Sequence, residues 1–381
     1  MKFCKVRVMN ERKNCIFYLP YPLEKTGNRA RQLRPRKMLY AFRELGYSVF
    51  LIQGYSAKRK RRIRKLKELI DSGVKFDFLY GETSTEPIEL SDPNHLPMHP
   101  MMDFAFFRYL NKKEIPVGIF YPDVYWKFPV YKESVSGYRY YAAIAFYKRE
   151  LKLFKETMTR LYLPDLKMLK YLDTPGIESV ADELPPGADP VTVKKEPKGE
   201  KDTLNMFYVG GISDFYRMDA LLLALQDLDR IHLTICCREN EWEKEKDHME
   251  PLMTDRVTVV HKNEDELLPY YDEADLCSLL FEYEEYRGMA RPVKAYEYLG
   301  HHLPVVATEN TAIGDFARDA GFGWSIPYET SAIRNLLTDI LEHPEKLEEK
   351  RKKAEELAPE NLWTSRAKKV AEDLTVTPEE N

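Results

Sequence analysis

The chain has 381 residues, of which 44% are hydrophobic and 31% charged. This length fits two domains of roughly 100 to 200 residues each, and the composition excludes global disorder. The five cysteines are scattered and form no CxxC pair, so we expect no disulfide framework. No apolar run approaches the ~18 residues of a membrane span, so we expect no anchor helix. Together these features predict a cytoplasmic protein.

The two halves of the chain differ in charge. Residues 1–190 carry 34 Lys and Arg against 22 Asp and Glu, and residues 191–381 carry 24 against 40, so +12 and −16 sum to the net charge of −4. The densest basic run is Lys58–Lys67, with eight Lys or Arg in ten positions. One interpretation is a solvated helix face. The other is a surface that docks on an anionic membrane, and we predict no nucleic-acid partner.

Short apolar runs alternate with amphipathic segments along the chain, as is typical of parallel sheets covered by helices. Five runs of the first half are predicted strands: Cys15–Pro20, Ser48–Tyr55, Phe76–Gly81, Pro116–Tyr121 and Arg160–Pro164. Between the first two, Met38, Leu39 and Phe42 fall on one helical face, and Gly46 ends the helix. The sequence therefore predicts an opening β-α-β unit.

A stretch rich in Pro, Gly and Lys, Pro185–Thr203, shows no amphipathic period and predicts a linker, which we place at 191–204. The alternation then restarts, with predicted strands at Asn205–Gly211, Ile231–Cys237, Arg256–His261, Asp275–Phe281 and Leu303–Glu309. The predicted organisation is an N-terminal domain (1–190), a C-terminal domain (205–360), and a terminal helix with a polar tail (361–381). Both domains are predicted to contain Rossmann-like sheets.

A glycine turn follows the first strand of the C-terminal domain. Gly210 and Gly211 allow close approach of the backbone to a ligand, and a helix N-terminus expected behind them favours a diphosphate. Arg217, expected in the first turn of that helix, would add a contact to phosphate. A tight structural turn and a surface arginine remain the alternatives.

The most specific motif is RPVKAYEYLGHHLPVVATE, Arg291–Glu309. It resembles the donor-binding segment of GT-B glycosyltransferases, in which a P-x-K-x-x-E-Y-L-x-x-G-x-P-V-V pattern places a glutamate on the ribose hydroxyls. The resemblance implies this role for Glu297, since a carboxylate accepts hydrogen bonds from both hydroxyls. Arg287, Arg291 and Lys294 are candidate partners of the donor diphosphate. A salt-bridged surface helix is the alternative interpretation.

The resemblance to GT-B glycosyltransferases (glycosyl transferases group 1) covers most of the chain. YVGGISDFYRMDALLLAL, DELLPYYDEADLCSLLF and ENLWTSRAKKVAEDL are similar to further segments of their C-terminal domain. The resemblance implies an α/β fold of two Rossmann-like domains with a cleft between them and a C-terminal helix that crosses back to the N-domain. One position departs from it: many retaining members carry a second glutamate where this chain has Met289.

In the first half, Asp123 follows a predicted strand end, where open α/β sheets bind ligands. The resemblance places a catalytic His or Asp here, so Asp123 is the candidate catalytic base or acceptor-orienting carboxylate. A loop cap is equally consistent with the sequence. His95 and His99 are weaker candidates, and the resemblance implies an acceptor-side loop at Leu23–Pro35.

The sequence thus predicts transfer of a sugar from a nucleoside-diphosphate sugar to a carbohydrate or lipid-linked acceptor. We expect no metal and no cofactor beyond the donor itself, because the carboxylate pair Asp227 and Asp229 ends an amphipathic helix and His301–His302 lacks a third ligand. Two alternatives stay open. One is a nucleotide-sugar epimerase or hydrolase of the same fold, and the other is a non-catalytic glycosyltransferase-like subunit.

Overall fold

The computed structural model describes residues 12–24, 30–135, 137–192, 203–213 and 216–375. Most of the predicted linker, part of the Leu23–Pro35 loop and the polar tail lie outside these residues. The chain divides into a first unit, which runs to Pro186 and resumes at Trp363, and a second unit, Gly187–Leu362.

The described residues form the following elements. The strands are β1 (Asn14–Leu19), β2 (Ser48–Gln53), β3 (Phe78–Glu82), β4 (Val117–Phe120), β5 (Arg160–Leu163), β6 (Ala181–Glu183), β7 (Leu204–Val209), β8 (Ile231–Cys236), β9 (Val257–Val260), β10 (Leu276–Leu279), β11 (Val305–Thr308) and β12 (Gly323–Ile326). The helices are α1 (Ala30–Glu44), α2 (Ser56–Asp71), α3 (Met102–Lys112), α4 (Pro129–Ser134), α5 (Tyr138–Thr157), α6 (Asp219–Gln226), α7 (Glu239–Met249), α8 (Leu268–Glu273), α9 (Glu285–Gly288), α10 (Val293–Gly300), α11 (Ala312–Asp319), α12 (Thr330–Glu342), α13 (Pro344–Leu357) and α14 (Trp363–Thr375).

The first unit is built on a parallel six-stranded sheet of order β2-β1-β3-β4-β5-β6. All five predicted strands of this half overlap observed ones. The predicted helix is α1, which buries Met38 and Phe42 and ends at Glu44. Gly46 follows in a turn with φ +86°, a backbone conformation that residues with a side chain rarely adopt. The sequence missed β6 because it has only three residues, all half-buried, and two of them are the charged Asp182 and Glu183.

The terminal helix α14 packs within the first unit. It buries Trp363, Ala367, Val370 and Leu374. Leu374 lies so close to Gly118 of β4 that a Cβ there would come within 2.9 Å of its Cδ1 atom. The expected crossing of the C-terminal helix back to the N-domain is therefore confirmed.

The second unit holds another parallel six-stranded sheet, of order β12-β11-β10-β7-β8-β9. Buried apolar side chains cover both faces of this sheet. The five predicted strands are present, and β12 was missed because GWSI is short and only its first residue is fully buried. The strand order reverses between β7 and β10. Ligands of open α/β sheets bind at such a reversal, outside the carboxyl ends of the strands. The predicted α/β fold of two Rossmann-like sheets is confirmed.

The basic run Lys58–Lys67 lies on α2, and one of its cations is not on the surface. Arg59 is only 1% exposed, and its guanidinium pairs with Asp103 through nitrogen–oxygen distances of 3.0 and 2.9 Å. It also donates to the carbonyl oxygens of Pro20 and Gly54. Treating the whole run as a surface feature was therefore wrong, because α2 turns every third or fourth residue inward. Among the described residues, no helix is long and apolar enough to cross a bilayer.

Candidate functional site

The candidate site of the second unit lies where β7 and β10 end side by side. The loop after β7 begins with Gly210, and the segment after β10 leads through α9 into α10. A hydrogen bond links the end of β7 to α10: the Val209 N–H donates to the Tyr298 hydroxyl oxygen at 2.9 Å. Two of the predicted donor-binding residues, Gly210 and Lys294, therefore meet in a crevice between segments that are distant in sequence.

Glycine is required at the start of the first loop. Gly210 has φ +154°, and a Cβ there would lie 2.9 Å from Lys294 Nζ and 3.1 Å from the Tyr208 hydroxyl oxygen. That hydroxyl donates a hydrogen bond of 2.6 Å to the Gly211 carbonyl oxygen. The glycine turn thus brings bare backbone against the ammonium of Lys294, 84 positions later in the chain.

Lys294 is the central cation of this crevice. Its Nζ lies 3.8 Å from the ring centroid of Tyr208 and 5.5 Å from that of Tyr216. Burial lowers the pKa of Lys294 to about 7, and the carboxylate of Glu297 opposes this shift. The electron-rich ring faces stabilise the cation only in part. An arriving anion would therefore meet a lysine that readily takes up a proton.

Arg287 adds a second positive charge beside the same aromatic ring. Its guanidinium lies 5.6 Å from the Tyr216 ring centroid, its side chain is 12% exposed, and Glu284 is its ion-pair partner at 3.4 Å. Met289, the position that departs from the family pattern, is buried and offers no hydrogen-bonding oxygen or nitrogen. Lys294 and Arg287 thus bring two cations to the crevice. A carboxylate, that of Glu241, also lies at the glycine turn, where it accepts a hydrogen bond of 3.4 Å from the Ile212 N–H.

The structure places Arg217 differently from the sequence prediction. Helix α6 begins at Asp219, so Arg217 precedes the helix, and the expectation of a helix first turn directly behind the glycines is wrong. The Arg217 guanidinium lies 3.8 Å from the Asp219 carboxylate, and its carbonyl oxygen accepts a hydrogen bond of 2.6 Å from the Tyr328 hydroxyl. Arg217 lines a cavity of about 560 Å³.

The other two predicted donor residues lie on either side of Lys294. Arg291 donates a hydrogen bond of 3.2 Å to the Tyr296 hydroxyl, and its guanidinium stacks 4.9 Å from the Phe316 ring centroid. Glu297 is half-buried on α10, one turn after Lys294. Its carboxylate neighbours Tyr271, whose pKa is raised first by burial and then by this charge. Glu297 thus remains partly accessible from solvent.

In the first unit, Asp123 is half-buried just past the carboxyl end of β4. Its Oδ1 accepts a hydrogen bond of 2.8 Å from the Tyr125 N–H, so the loop-capping interpretation describes at least one of its contacts. His99 lies 2.9 Å from the Ser56 hydroxyl, and His95 lies 3.2 Å from Glu86. Among the described residues, no three His, Cys, Asp or Glu side chains are grouped so as to hold a metal ion.

Sequence reasoning missed the aromatic component of the site. Tyr208 and Tyr216 form the surroundings of Lys294, although neither belongs to the motif that contains the lysine. The only available signal was their position on either side of the glycine pair.

Part of the second unit matches a known protein family. Residues 203–343 match the family model of the glycosyl transferases group 1. A comparison with curated proteins gives no match.

Solved structures are similar over almost the whole chain. HepE of Anabaena, in complex with UDP and glucose, is 14% identical with a TM-score of 0.61, over 95% of this chain and 99% of that one. Sucrose-phosphate synthase of Thermosynechococcus elongatus is 15% identical with a TM-score of 0.59, over 95% and 98%. WaaG, a glycosyltransferase involved in lipopolysaccharide biosynthesis, is 16% identical with a TM-score of 0.57, over 95% and 100%. The chain has the GT-B fold of these structures, and residues 203–343 of its second unit match the glycosyl transferases group 1.

Proposed function

We propose that the protein transfers a sugar from a nucleoside-diphosphate sugar to a carbohydrate or lipid-linked acceptor. The observation that carries this proposal is the position of Lys294 against the backbone of Gly210 at the β7/β10 reversal, inside the segment that matches the family. A lysine at such a crevice suits a diphosphate. The binding of UDP and glucose by HepE, which has the same fold, supports the choice of ligand.

The donor contacts follow from the charges of the second unit. Lys294 and Arg287 face the diphosphate and stabilise the negative charge that develops as the sugar leaves. Glu297 accepts hydrogen bonds from the ribose hydroxyls. Because protein cations supply this stabilisation, we propose that transfer proceeds without a metal ion, and that activity survives treatment with a chelator.

The acceptor belongs to the first unit in this proposal. Asp123 stands at the carboxyl end of β4, which is where a parallel sheet presents its ligand-binding loops. It acts as the base, or it orients the acceptor hydroxyl. Asp123→Asn should abolish transfer while leaving donor binding unchanged.

The exposed cations of α2 favour an acceptor at an anionic membrane surface. Lys58, Lys60, Arg61, Arg64 and Lys65 all face solvent. Such residues contribute about 1 kcal/mol each near anionic lipid. Co-sedimentation with anionic vesicles at low salt tests this partner. Binding should vanish when these five residues are replaced by Ser and the buried Arg59 is retained, and binding that persists would favour a soluble acceptor.

A screen of nucleotide sugars by thermal shift tests the proposed function. A true donor at 100 times its dissociation constant adds roughly 2.7 kcal/mol to the free energy of unfolding. The binder is then incubated alone and with candidate acceptors. A glycosylated acceptor supports transfer, a new sugar isomer or free sugar from donor alone supports the epimerase or hydrolase, and binding without turnover supports the non-catalytic subunit. No binding to any nucleotide would refute the proposal.

A further inference from the structure

A cavity of about 560 Å³ lies within the second unit, next to the cationic crevice. The ends of three parallel strands provide most of its wall, with Glu282 after β10, Glu309 after β11 and Glu329 after β12. The start of α6 completes it with Arg217 and Asp219. A volume of this order is in the range of small-molecule sites, which run from about 300 to 1,000 Å³.

Tyr216 connects the cavity with the crevice. One side of the connection is cationic, because Lys294 Nζ and the Arg287 guanidinium lie 5.5 and 5.6 Å from the Tyr216 ring centroid. On the other side the next residue, Arg217, lines the cavity. The cations are thus followed along the chain by an open cavity. A nucleotide sugar has the same order of parts, because its diphosphate is followed by its glycosyl group.

The charges in the cavity wall restrict what fits there. Asp219, Glu282, Glu309 and Glu329 bring four carboxyl groups, against the single guanidinium of Arg217, which is 3.8 Å from Asp219. Carboxylates accept hydrogen bonds from sugar hydroxyls or from an amine. They repel a carboxylate on the ligand.

One wall of the cavity contains an aromatic ring. Tyr283 is 46% exposed and lines the cavity, and its ring packs on Gly288, where a Cβ would lie 2.7 Å from the ring carbon Cε2. Glycine at 288 therefore leaves room for the ring. The ring supplies an apolar face, while the carboxyl groups supply the polar contacts.

We propose that this cavity binds the glycosyl group of the donor, and that Glu282 and Glu309 accept hydrogen bonds from its hydroxyl groups. The cavity then selects neutral or cationic sugars over sugars that carry a carboxylate. This inference rests on the proposed function, because it takes the crevice around Lys294 as the diphosphate site.

The test compares two donors that differ only at C6, a hydroxymethyl group in glucose and a carboxylate in glucuronate. UDP, GDP, ADP and dTDP are first titrated by calorimetry to find the nucleotide that binds. The glucose and glucuronate conjugates of that nucleotide are then titrated against the wild type, Glu282→Gln, Glu309→Gln and the double variant. Glu349→Gln, an exposed residue of α13 outside the cavity, is the matched control.

We expect the wild type to bind the glucose conjugate at least about tenfold more tightly than the glucuronate conjugate. Each cavity variant should bind the glucose conjugate about 10- to 100-fold more weakly than the wild type does. The ratio of its affinities for the glucose and glucuronate conjugates should also be smaller than that of the wild type. The affinity of each cavity variant for the free nucleotide should stay within about twofold of the wild-type value. The control variant Glu349→Gln should bind all three ligands within about twofold of the wild type.

Two outcomes would overturn the inference and leave the proposed function intact. One is equal or tighter binding of the glucuronate conjugate by the wild type. The other is a cavity variant that leaves both conjugates unchanged or weakens the free nucleotide equally. Failure of all four nucleotides to bind would instead refute the proposed function, and the inference with it.

Discussion

Donor affinity should depend on pH through Lys294. Its Nζ is enclosed by Tyr208, Tyr216 and the Gly210 backbone, and burial lowers its pKa to about 7. A diphosphate favours the charged form, so the donor should raise this pKa toward the ordinary lysine value of about 10.4. Above pH 7 binding therefore requires uptake of a proton. The expected uptake is about half a proton at pH 7 and about 0.9 at pH 8, and affinity should fall toward tenfold per pH unit.

Calorimetry in buffers of different ionisation enthalpy measures this uptake directly. A nucleotide sugar is the better ligand, because a terminal phosphate titrates near pH 6 itself. Lys294→Arg should bind without the pH slope, since arginine remains charged throughout. Lys294→Met should bind about 10- to 100-fold more weakly at pH 6.5 and also lose the slope. Lys352→Met, on the exposed face of α13, should match the wild type.

Stability separates a lost contact from a lost fold. A lysine whose folded pKa is depressed binds fewer protons when folded, so the free energy of unfolding rises with pH between about 7 and 10.4. Lys294→Met lacks the buried cation and should therefore melt no lower than the wild type at pH 7. A wild type that binds donor with no proton uptake between pH 7 and 8 would refute the assignment of Lys294 to the diphosphate.

Three further substitutions test the other assignments. Glu297→Gln should weaken donor binding by roughly 1.5–3 kcal/mol with an unchanged melting temperature, and unchanged calorimetric affinity would contradict the ribose contact. Trp363→Ala should lower the free energy of unfolding, measured in urea, by about 3–5 kcal/mol, because the indole is only 5% exposed. If a chain truncated after Pro359 melts at the same temperature as the wild type, α14 does not stabilise the first unit. Asp103→Asn should cost about 3–5 kcal/mol because it leaves the Arg59 charge buried without its partner, whereas a urea midpoint equal to that of the wild type would contradict this account.

The sequence determined the α/β alternation, because buried parallel strands need consecutive apolar residues and the helices between them need an apolar stripe. Of the twelve strands that the described residues form, ten were predicted from such runs. The two missed strands, β6 and β12, are short and mostly half-buried, so pairing with a neighbouring strand rather than apolar content defines them. The Arg291–Glu309 motif likewise located α10 and its lysine, since that segment is continuous in the chain.

Only the tertiary structure decided which distant residues meet. Lys294 and Tyr208 are 86 positions apart, and the pairing of β10 with β7 brings their loops together. The same holds for the burial of Arg59, which depends on Asp103 of α3 and on carbonyl groups from two loops. Arg217 shows the limit of local pattern, because the start of α6 two residues later gives it a different surrounding. Sequence periodicity describes one element at a time, whereas pKa values and cavities depend on atoms that several elements contribute.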